Sequence, residues 1–440
     1  MTTLLFRGGR VIDPANGVDR VCDVLVDGGI ITRIGDRIVQ SGAHEIDVTG
    51  SIVTPAFVDL HTHLREPGYE QKGTVATETE AALRGGFTTV CAMPNTSPAP
   101  DSLTIVQSLL ELIARTARVR VLPIGCVTRG RAGKELADLS ELADAGCIAI
   151  SDDGNPVADG RLMRNALEYA AALRLPLSEH CDSPSLNADG VMNEGRISER
   201  LGLAGQPAAA EVSAIARNIA LAETTGAHLH IAHVSTARSV ELVAEAKARG
   251  LHVTAEVTPS HLFLTEDAVF GTGPEAAYDT NARINPPLRT EADRQALLRA
   301  LNNGIIDAIA TDHAPHAIED KLCEFDVAAP GISCLETAAA TIFTLVSRGE
   351  LDLLAAIRAL TAGPVATFAL GARIPGIGAL TPGLSTDLVV LAPGENWTVD
   401  TSTFASKGKN TPLNGQSLTG RVRHVIMNGE LAYSAELAHA

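Results

Sequence analysis

The chain has 440 residues, of which 45% are hydrophobic, 20% charged and 3% aromatic, and its formal net charge is −17. This length and composition predict a globular protein with one large domain and a smaller partner domain. The acidic balance and the lack of any basic block argue against nucleic-acid binding, although a local arginine could still hold a small acidic substrate. No run approaches 18 apolar residues, so we expect neither a membrane span nor an export signal.

The two ends of the chain have the features of short β-strands separated by turns. Near the N-terminus these are LLFRGGRVIDP, DVLVDGGIITRIG and HEIDVTGSIVTPAF, and near the C-terminus they are TDLVVLAP, WTVD and RVRHVIMNGELAY. We therefore expect residues 1–54 and 372–440 to form one composite β domain, of β-sandwich type, and residues 55–371 to form the larger domain.

The middle of the chain alternates short apolar runs with Ala/Leu-rich helical stretches. Eight runs are candidate strands: 52–58, 88–93, 119–125, 147–151, 175–179, 228–232, 252–257 and 306–311. Helices are predicted at 74–85, 101–117, 134–145, 158–173, 207–225, 236–249 and 289–303. This alternation predicts a (β/α)8 barrel, which builds its active site at the C-terminal strand ends. A doubly wound sheet is the alternative, but its first strand would lead into a Gly-rich turn, where this chain has His-Thr-His.

Polar residues follow several of the predicted strands. They are His61, His63, Asp153, His180, His233 and Asp312. In a barrel these side chains would meet at one rim, and four imidazoles with two carboxylates can hold two divalent metals such as zinc. A single histidine at a strand end is more often structural, so the prediction depends on their joint position.

Not every histidine belongs to this predicted site. His228 and His230 have the same spacing as His61 and His63, but they lie inside a predicted strand, where packing or hydrogen bonding is the expected role. His261 and His313 are also left outside the metal set.

Such a site performs hydrolytic chemistry. Two metals can share one water and lower its pKa to about 7, which makes it a nucleophile for a carbonyl group. One carboxylate must then lie between the metals and another must move the proton. We predict Asp153 for the first role and Asp312 for the second, with Asp312 also near enough to be a ligand.

Four further polar residues are candidates for binding the substrate. Arg65 lies two residues beyond His63, where a guanidinium could bind a carboxylate through two hydrogen bonds. Asn95 and Asn285 lie in proline-containing loops, and His316 follows Asp312 by four residues. A surface ion pair or ordinary turn chemistry would explain each of them equally well when taken alone.

Taken together, the motifs resemble those of dihydroorotases in the amidohydrolase superfamily. The matching segments occur in the same order: DLHTHLREPG, AMPNTSP, SDDG, SEHCD, HIAHVST, RINPPLR, ATDHAPH, GISCLETA and SKGKNTPLNGQSLTGRV. The resemblance covers nearly the whole chain. It implies a (β/α)8 barrel with a side β domain, bound zinc, and interconversion of N-carbamoyl-L-aspartate and L-dihydroorotate in pyrimidine biosynthesis.

The resemblance also implies a role for each site residue. His61 and His63 would bind one zinc, His180 and His233 a second, and Asp153 would bridge them, with two ions favoured over one. Asp312 would be the acid/base, and the substrate would contact Arg65, Asn95, Asn285, His316, Pro330 and Gly331. The resemblance further implies a homodimer and an association with aspartate transcarbamoylase.

Two alternatives remain open on sequence grounds. Allantoinases and hydantoinases commonly bridge their metals with a modified lysine on the fourth strand, but residues 146–154, GCIAISDDG, contain no lysine. This resembles the bacterial type I branch of dihydroorotases, where aspartate bridges. A catalytically inactive homologue that scaffolds aspartate transcarbamoylase would lack metal ligands, whereas all the predicted ligands are present here.

The seven cysteines bear on where the protein works. They are far apart, form no CxxC pair and are odd in number. This pattern is typical of reduced thiols rather than of a disulfide framework, and it predicts a cytoplasmic protein.

Overall fold

The computed structural model describes residues 3–187, 189–271, 277–385 and 387–436. The chain begins with five strands that belong to a sheet outside the barrel: β1 Leu4–Asp13, β2 Val18–Asp27, β3 Ile30–Gly35, β4 His44–Asp47 and β5 Ile52–Pro55. Within the described ranges, no helix is both long and apolar enough to cross a bilayer.

The middle of the chain forms the predicted parallel barrel. Its strands are β6 Phe57–Thr62, β7 Phe87–Ala92, β8 Arg120–Gly125, β9 Ala149–Ile150, β10 Leu177–Glu179, β13 Leu229–Ile231, β14 Val253–Val257 and β15 Ala308–Ile309. Between β10 and β13 lies a separate pair of two-residue strands, β11 Met192–Asn193 and β12 Gly205–Gln206. The barrel strands pair in chain order. A parallel bridge between Thr62 and His313 joins the last strand to the first, so the sheet is closed.

The predicted first barrel strand, 52–58, was wrong in its position. The apolar run contains two strands, because Ile52–Pro55 pairs with β1 and with the C-terminal sheet while Phe57–Thr62 pairs with β7. The chain changes sheet at Ala56, whose N–H donates to Asp387, and the N–H of Phe57 donates to Gly86. His61 therefore lies inside the barrel strand, and His63 follows directly after its end.

The helices surround the barrel. They are α1 Val75–Arg84, α2 Leu103–Thr116, α3 Leu139–Asp144, α4 Gly160–Leu173, α5 Pro184–Asn187, α6 Arg196–Leu201, α7 Ala208–Thr225, α8 Ala237–Ala248, α9 Pro259–Phe263, α10 Glu291–Asn302, α11 Leu335–Ser347, α12 Leu353–Leu360 and α13 Ala362–Thr367. Several begin at a side chain that accepts a backbone N–H of the first turn, as Asp159 does for α4 and Thr236 for α8. The predicted starts of α4 and α8, at residues 158 and 236, lie within two residues of the observed ones.

The remaining strands join the N-terminal sheet. They are β16 Leu388–Thr398, β17 Ser417–Met427 and β18 Glu430–Ser434, and the sheet order is β18-β17-β16-β5-β1-β2-β3 with β4 beside β1. Both ends of the chain thus contribute to one sheet. We propose 1–54 plus 372–440 as the limits of this β domain and 55–371 as the barrel domain. Residues 1–2, 386 and 437–440 of that proposal lie outside the described residues, as do 188 and 272–276 of the barrel segment.

Three of the apolar clusters among the described residues form the cores of the two domains. The largest lies between the barrel strands and their helices, and a second fills the β domain around Phe6 and Val24. The third fills the barrel interior and includes Val58, Leu60 and Ile124. Because the interior is packed, the polar side chains at the strand ends face one rim rather than a channel.

Candidate active site

A first group of metal-binding atoms comes from both sides of the barrel closure. His63 Nε2 is 2.9 Å from Asp312 Oδ1, and His61 Nε2 is 3.4 Å from the same oxygen. The two histidines are almost fully buried, whereas the Asp312 side chain is 15% exposed and reaches the mouth of the site. These three residues could hold one divalent ion between their facing atoms.

A second group shares His61 with the first and adds Asp153 and His233. Asp153 Oδ1 is 3.4 Å from His61 Nε2, 3.5 Å from His233 Nε2 and 3.8 Å from His180 Nδ1. Asp153 Oδ2 is 3.6 Å from His63 Nε2. The carboxylate therefore lies between the two pairs of histidines, where a bridging ligand would have to be. All six predicted donors come together at one rim of the barrel.

The donor set fits bound cations. His61 Nε2 and Asp153 Oδ1 are buried, yet neither atom has a hydrogen-bond partner within the described part of the chain. Leaving buried polar atoms unpaired is costly, and a metal ligated by both would remove that cost. Imidazole and carboxylate donors together suit zinc and similar divalent ions.

The neighbouring Asp152 has a different role from Asp153. Its Oδ1 accepts the N–H groups of Val127 and Thr128, at 2.9 and 3.1 Å, and its Oδ2 accepts the Thr128 hydroxyl. Asp152 therefore fixes the loop after β8 against the loop after β9. Of the two adjacent acids, Asp152 stabilises the loops and Asp153 faces the histidine cluster.

Backbone strain accompanies three of the site residues. Arg65, His233 and Asp312 have positive φ angles of 67°, 33° and 48°. For residues other than glycine this conformation costs on the order of 1–3 kcal/mol. At His233 the flanking N–H groups of Ala232 and Val234 donate to the carbonyl groups of Glu179 and Glu256, which holds the backbone in place.

The electrostatics of the cluster also favour cations. Burial raises the pKa of Asp153, but His61 and its neighbours outweigh that effect and hold the pKa well below the ordinary value. Burial lowers the pKa of His61, but Asp153 and Asp312 outweigh it and raise the pKa well above the ordinary value. Positive charge is thus stabilised between the carboxylates, where divalent ions would lie.

Two buried acids that sequence reasoning missed support this cluster. Glu256 Oε1 is 2.7 Å from His61 Nδ1, and Asp59 accepts the backbone N–H groups of His61 and Thr311. Asp59 also accepts the Thr311 hydroxyl at 2.5 Å, so it joins the first and last strands beneath the site. The only sequence signal for either residue is an acid inside an otherwise apolar strand.

The histidines that were left outside the metal set have hydrogen-bonding roles, as predicted for His228 and His230. Both lie within 2.9 Å of the Thr254 hydroxyl, and His230 also contacts Glu256. His313 Nε2 is 2.7 Å from Glu78 Oε2, and His261 Nε2 is 3.1 Å from the carbonyl oxygen of Pro286.

The two predicted asparagines contact the metal-site histidines directly. Asn95 Oδ1 accepts the Nδ1–H of His63 at 2.9 Å, which leaves His63 Nε2 for the cluster. Asn285 Nδ2 is 3.2 Å from His180 Nε2, while its Oδ1 is buried without a partner. Exchanging the amide oxygen and nitrogen of Asn285 would let it accept the His180 Nε2–H and keep Nδ1 for the cluster. Each asparagine can thus orient a histidine and present its other amide atom to a substrate.

Arg65 and His316 lie side by side at the same rim. Arg65 is 9% exposed, its Nε donates to the carbonyl of Pro315 at 3.1 Å, and its Nη2 is 3.3 Å from His316 Nε2. Burial lowers the pKa of Arg65 to about 10, so the guanidinium is charged at neutral pH. Burial and then Arg65 lower the pKa of His316 to about 3, so His316 is neutral. A fixed, buried cation near the cluster suits a substrate with a carboxylate.

Pro330 and Gly331 lie against His316. The carbonyl oxygen of Pro330 is 2.9 Å from His316 Nε2, and the N–H of Gly331 donates to Arg283 at 2.8 Å. Gly331 has a φ of 145°, and a Cβ there would lie 2.7 Å from the Ala314 Cβ and 3.0 Å from His316 Nε2. Only glycine therefore lets this segment approach the His316 ring so closely.

Lys72 is a further cation that sequence reasoning missed. Its Nζ is 3.4 Å from His316 Nδ1 and 3.1 Å from Asp320 Oδ2. The Pro330 carbonyl can only accept and is the nearest of the three contacts, so the ring proton lies on Nε2, Nδ1 accepts from Lys72, and Arg65 Nη2 does not donate to Nε2. Lys72 thereby fixes the tautomer of His316 from a loop more than 240 residues away.

Comparisons with known proteins show which family the chain resembles. A family profile described as dihydro-orotase-like matches residues 50–239. A curated protein named dihydroorotase from Anaeromyxobacter dehalogenans is 48% identical over 440 residues, covering 100% of both chains. Another so named, from Syntrophotalea carbinolica, is 45% identical and covers 98% of this chain and 99% of its own. A third, from Pelotomaculum thermopropionicum, is 46% identical over 97% of this chain and 98% of its own.

Solved structures show the same fold. A D-hydantoinase (dihydropyrimidinase) from Thermus sp. is 28% identical with a TM-score of 0.82, over 98% of this chain and 95% of that chain. An L-hydantoinase (dihydropyrimidinase) from Arthrobacter aurescens has a TM-score of 0.86 at 24% identity, over 98% and 96% of the two chains. The second likeness concerns the fold alone.

Proposed function

Because this chain belongs to the dihydroorotase family, we propose that it interconverts N-carbamoyl-L-aspartate and L-dihydroorotate in pyrimidine (UMP) biosynthesis. The observation that carries this proposal is the buried Arg65 beside a cluster of six metal-binding side chains. The cluster suits hydrolysis of a cyclic amide, and the arginine suits a ring that bears a carboxylate. L-Dihydroorotate has both features.

The proposed cofactor is zinc, with two ions favoured over one. His61 and His63 would hold one ion, His180 and His233 the other, with Asp153 between them and Asp312 completing the first site. When bound, the ions supply Lewis acidity and lower the pKa of a shared water to about 7. The unpaired His61 Nε2 and Asp153 Oδ1 support this assignment.

Asp312 is the proposed acid/base. In the hydrolytic direction its carboxylate takes the proton of the water that attacks the ring carbonyl, and it delivers that proton to the ring nitrogen as the C–N bond breaks. In the cyclising direction it takes the proton from the carbamoyl nitrogen and gives it to the departing oxygen. Its position supports this role, because Oδ1 faces the histidines while the side chain remains 15% exposed toward the mouth.

The substrate would be oriented by the polar rim around Asp312. Arg65 would bind the ring carboxylate, and the free amide atoms of Asn95 and Asn285 would bind the remaining polar ring atoms. His316 would add a contact beside Arg65, with Pro330 and Gly331 lining the same wall. The rigidity of this wall comes from the Lys72–His316–Pro330 hydrogen bonds.

A substrate panel tests the proposal directly. The purified chain, loaded with zinc, is expected to hydrolyse L-dihydroorotate and to leave allantoin and hydantoin essentially untouched. A hydantoinase-like activity is the second candidate, because solved hydantoinases share the fold. Turnover of hydantoin or allantoin without turnover of dihydroorotate would favour that candidate and refute ours.

Arg65→Met is expected to weaken recognition of the carboxylate specifically. Hydrogen bonds to a charged group contribute about 1.5–3 kcal/mol, so the KM for dihydroorotate should rise about 10–100-fold. Dihydrouracil has the same ring without the carboxylate, so any hydrolysis of it by the unaltered chain should change little in the variant. Steady-state kinetics on both substrates measure this difference, and an equal loss on both would contradict the assigned role.

The remaining proposals concern the setting of the enzyme. We propose a cytoplasmic homodimer that can associate with aspartate transcarbamoylase. The location is supported by seven cysteines that are all unpaired. Size-exclusion chromatography with and without the transcarbamoylase tests the assembly. A chain that binds this partner but has no turnover would instead favour the scaffold alternative.

A further inference from the structure

A buried line of hydrogen bonds crosses the barrel interior and ends at His61. Glu256 Oε1 is 2.7 Å from His61 Nδ1, and Glu256 Oε2 is 3.1 Å from His230 Nε2. Each of these three residues is at most 1% exposed. A carboxylate in such surroundings is costly unless its oxygens are hydrogen-bonded, so both histidine contacts are needed to keep it there.

The positions of the hydrogens in this line follow from the chemistry of its members. An ionised carboxylate can only accept, so His61 must donate from Nδ1 and His230 from Nε2. His230 Nδ1 then accepts from the Thr254 hydroxyl, 2.9 Å away. That hydroxyl accepts in turn from His228 Nε2 at 2.8 Å. One arrangement of hydrogens satisfies every contact from the opposite end of the barrel to the site.

We infer that Glu256 fixes the ring proton of His61 on Nδ1 and so reserves His61 Nε2 for the metal. Glu256 is thus a positioning residue, and the inference rests on the proposed metal-binding role of His61. A carboxylate behind a ligating histidine sets the tautomer, the ring orientation and the basicity of the ligand. Without the acceptor, the proton could occupy either ring nitrogen and the ring could turn away from the site.

His230 keeps Glu256 in place. Its Nε2–H donates to the second carboxylate oxygen of Glu256, and its ring packs edge-on against Phe368 at a centroid distance of 5.1 Å. Phe368 belongs to the apolar cluster that fills the barrel interior. The Glu256 carboxylate is therefore hydrogen-bonded at both oxygens. One partner is His61, and the other is His230, whose own position is fixed by packing against Phe368.

The test is a zinc-affinity series on the full chain, measured by competition with a chelator of known affinity. Glu256→Leu removes the acceptor and is expected to weaken zinc binding about 10–100-fold. Glu256→Gln is expected to lose less than about tenfold, because its amide oxygen can still accept from His61, while its NH2 group can donate to His230 Nε2 once the His230 proton moves to Nδ1 and donates to Thr254. His228→Gln, at the far end of the same line, is the matched control and should bind zinc as the unaltered chain does.

A second measurement needs no substitution. In the zinc-loaded chain, 15N NMR of the imidazoles should show the His61 proton on Nδ1 and the metal on Nε2. The opposite arrangement overturns the inference, as does unchanged zinc affinity in Glu256→Leu or a loss in Glu256→Gln as large as in Glu256→Leu. If the unaltered chain binds no zinc at all, the proposed metal site fails together with the inference, and this result is distinct from the other three.

Discussion

Asp312→Asn is expected to lower kcat for dihydroorotate hydrolysis by about 10²–10⁴-fold while zinc content stays nearly unchanged. The amide has the size of the carboxylate and keeps an oxygen that can face His63, which lies 2.9 Å from Asp312 Oδ1. It cannot take up and release a proton at neutral pH, so the proton transfer is lost while the other donors remain. Steady-state kinetics and elemental analysis of the same sample measure the two quantities.

The matched control for this variant is Asp320→Asn. Asp320 is also an acid at the mouth of the site, but its carboxylate pairs with Lys72 rather than with the histidine cluster. Its replacement should therefore leave kcat within a few-fold of the unaltered value. Loss of zinc together with activity in Asp312→Asn would show that Asp312 acts first as a ligand, and an unchanged kcat would remove it from the proton path.

The sequence predicts the barrel and its rim because both depend on local patterns. Each barrel strand is a short apolar run, and in a parallel barrel every run ends at the same rim, so His61, His180, His233 and Asp312 could be grouped without coordinates. The predicted helices followed Ala/Leu-rich stretches between the strands, and the one predicted at 158–173 lies within two residues of α4. The sequence pattern of a single strand or helix was therefore enough to predict the repeating strand–helix units of the barrel.

The errors and omissions have a common physical cause. The first strand was misplaced because Pro55 and Ala56 continue an apolar run, and only pairing with Asp387 and Gly86 shows that the chain changes sheet there. Helix α11 was missed because Leu335–Ser347 is buried on nearly all sides and so lacks an amphipathic pattern. Both depend on contacts between distant parts of the chain.

The supporting residues of the site were missed for the same reason. Glu256 reaches His61 across 195 residues of sequence, and Asp59 reaches Thr311 across 252. Lys72 reaches His316 across 244. Each looks like an ordinary charged residue in its own segment. The meeting of the candidate ligands at one rim could therefore be predicted from the sequence, whereas the contacts of Glu256, Asp59 and Lys72 behind them could not.

His61→Ala is expected to lose zinc and activity together, in contrast to Asp312→Asn. His61 Nε2 is within 3.4 Å of both Asp312 and Asp153, so its imidazole borders both proposed ion positions. A bound metal contributes several kcal/mol to transition-state stabilisation, so kcat should fall on the order of 10³-fold or more. Zinc per chain and kcat are measured on the same preparation.

The control is His228→Ala, since His228 and His230 repeat the His-x-His spacing of His61 and His63 at the other end of a strand. It should keep zinc and most of the activity, because the polar and ring contacts of the His228 side chain are with Thr254 and His252, away from the cluster. His61→Ala leaves the buried Glu256 with one partner and could fail to fold. His63→Ala then makes the same comparison, because it removes contacts with Asn95 and Asp312 but leaves the buried Glu256 with both of its histidine partners. Full zinc content in a folded His61 or His63 variant would contradict the proposed ligand set.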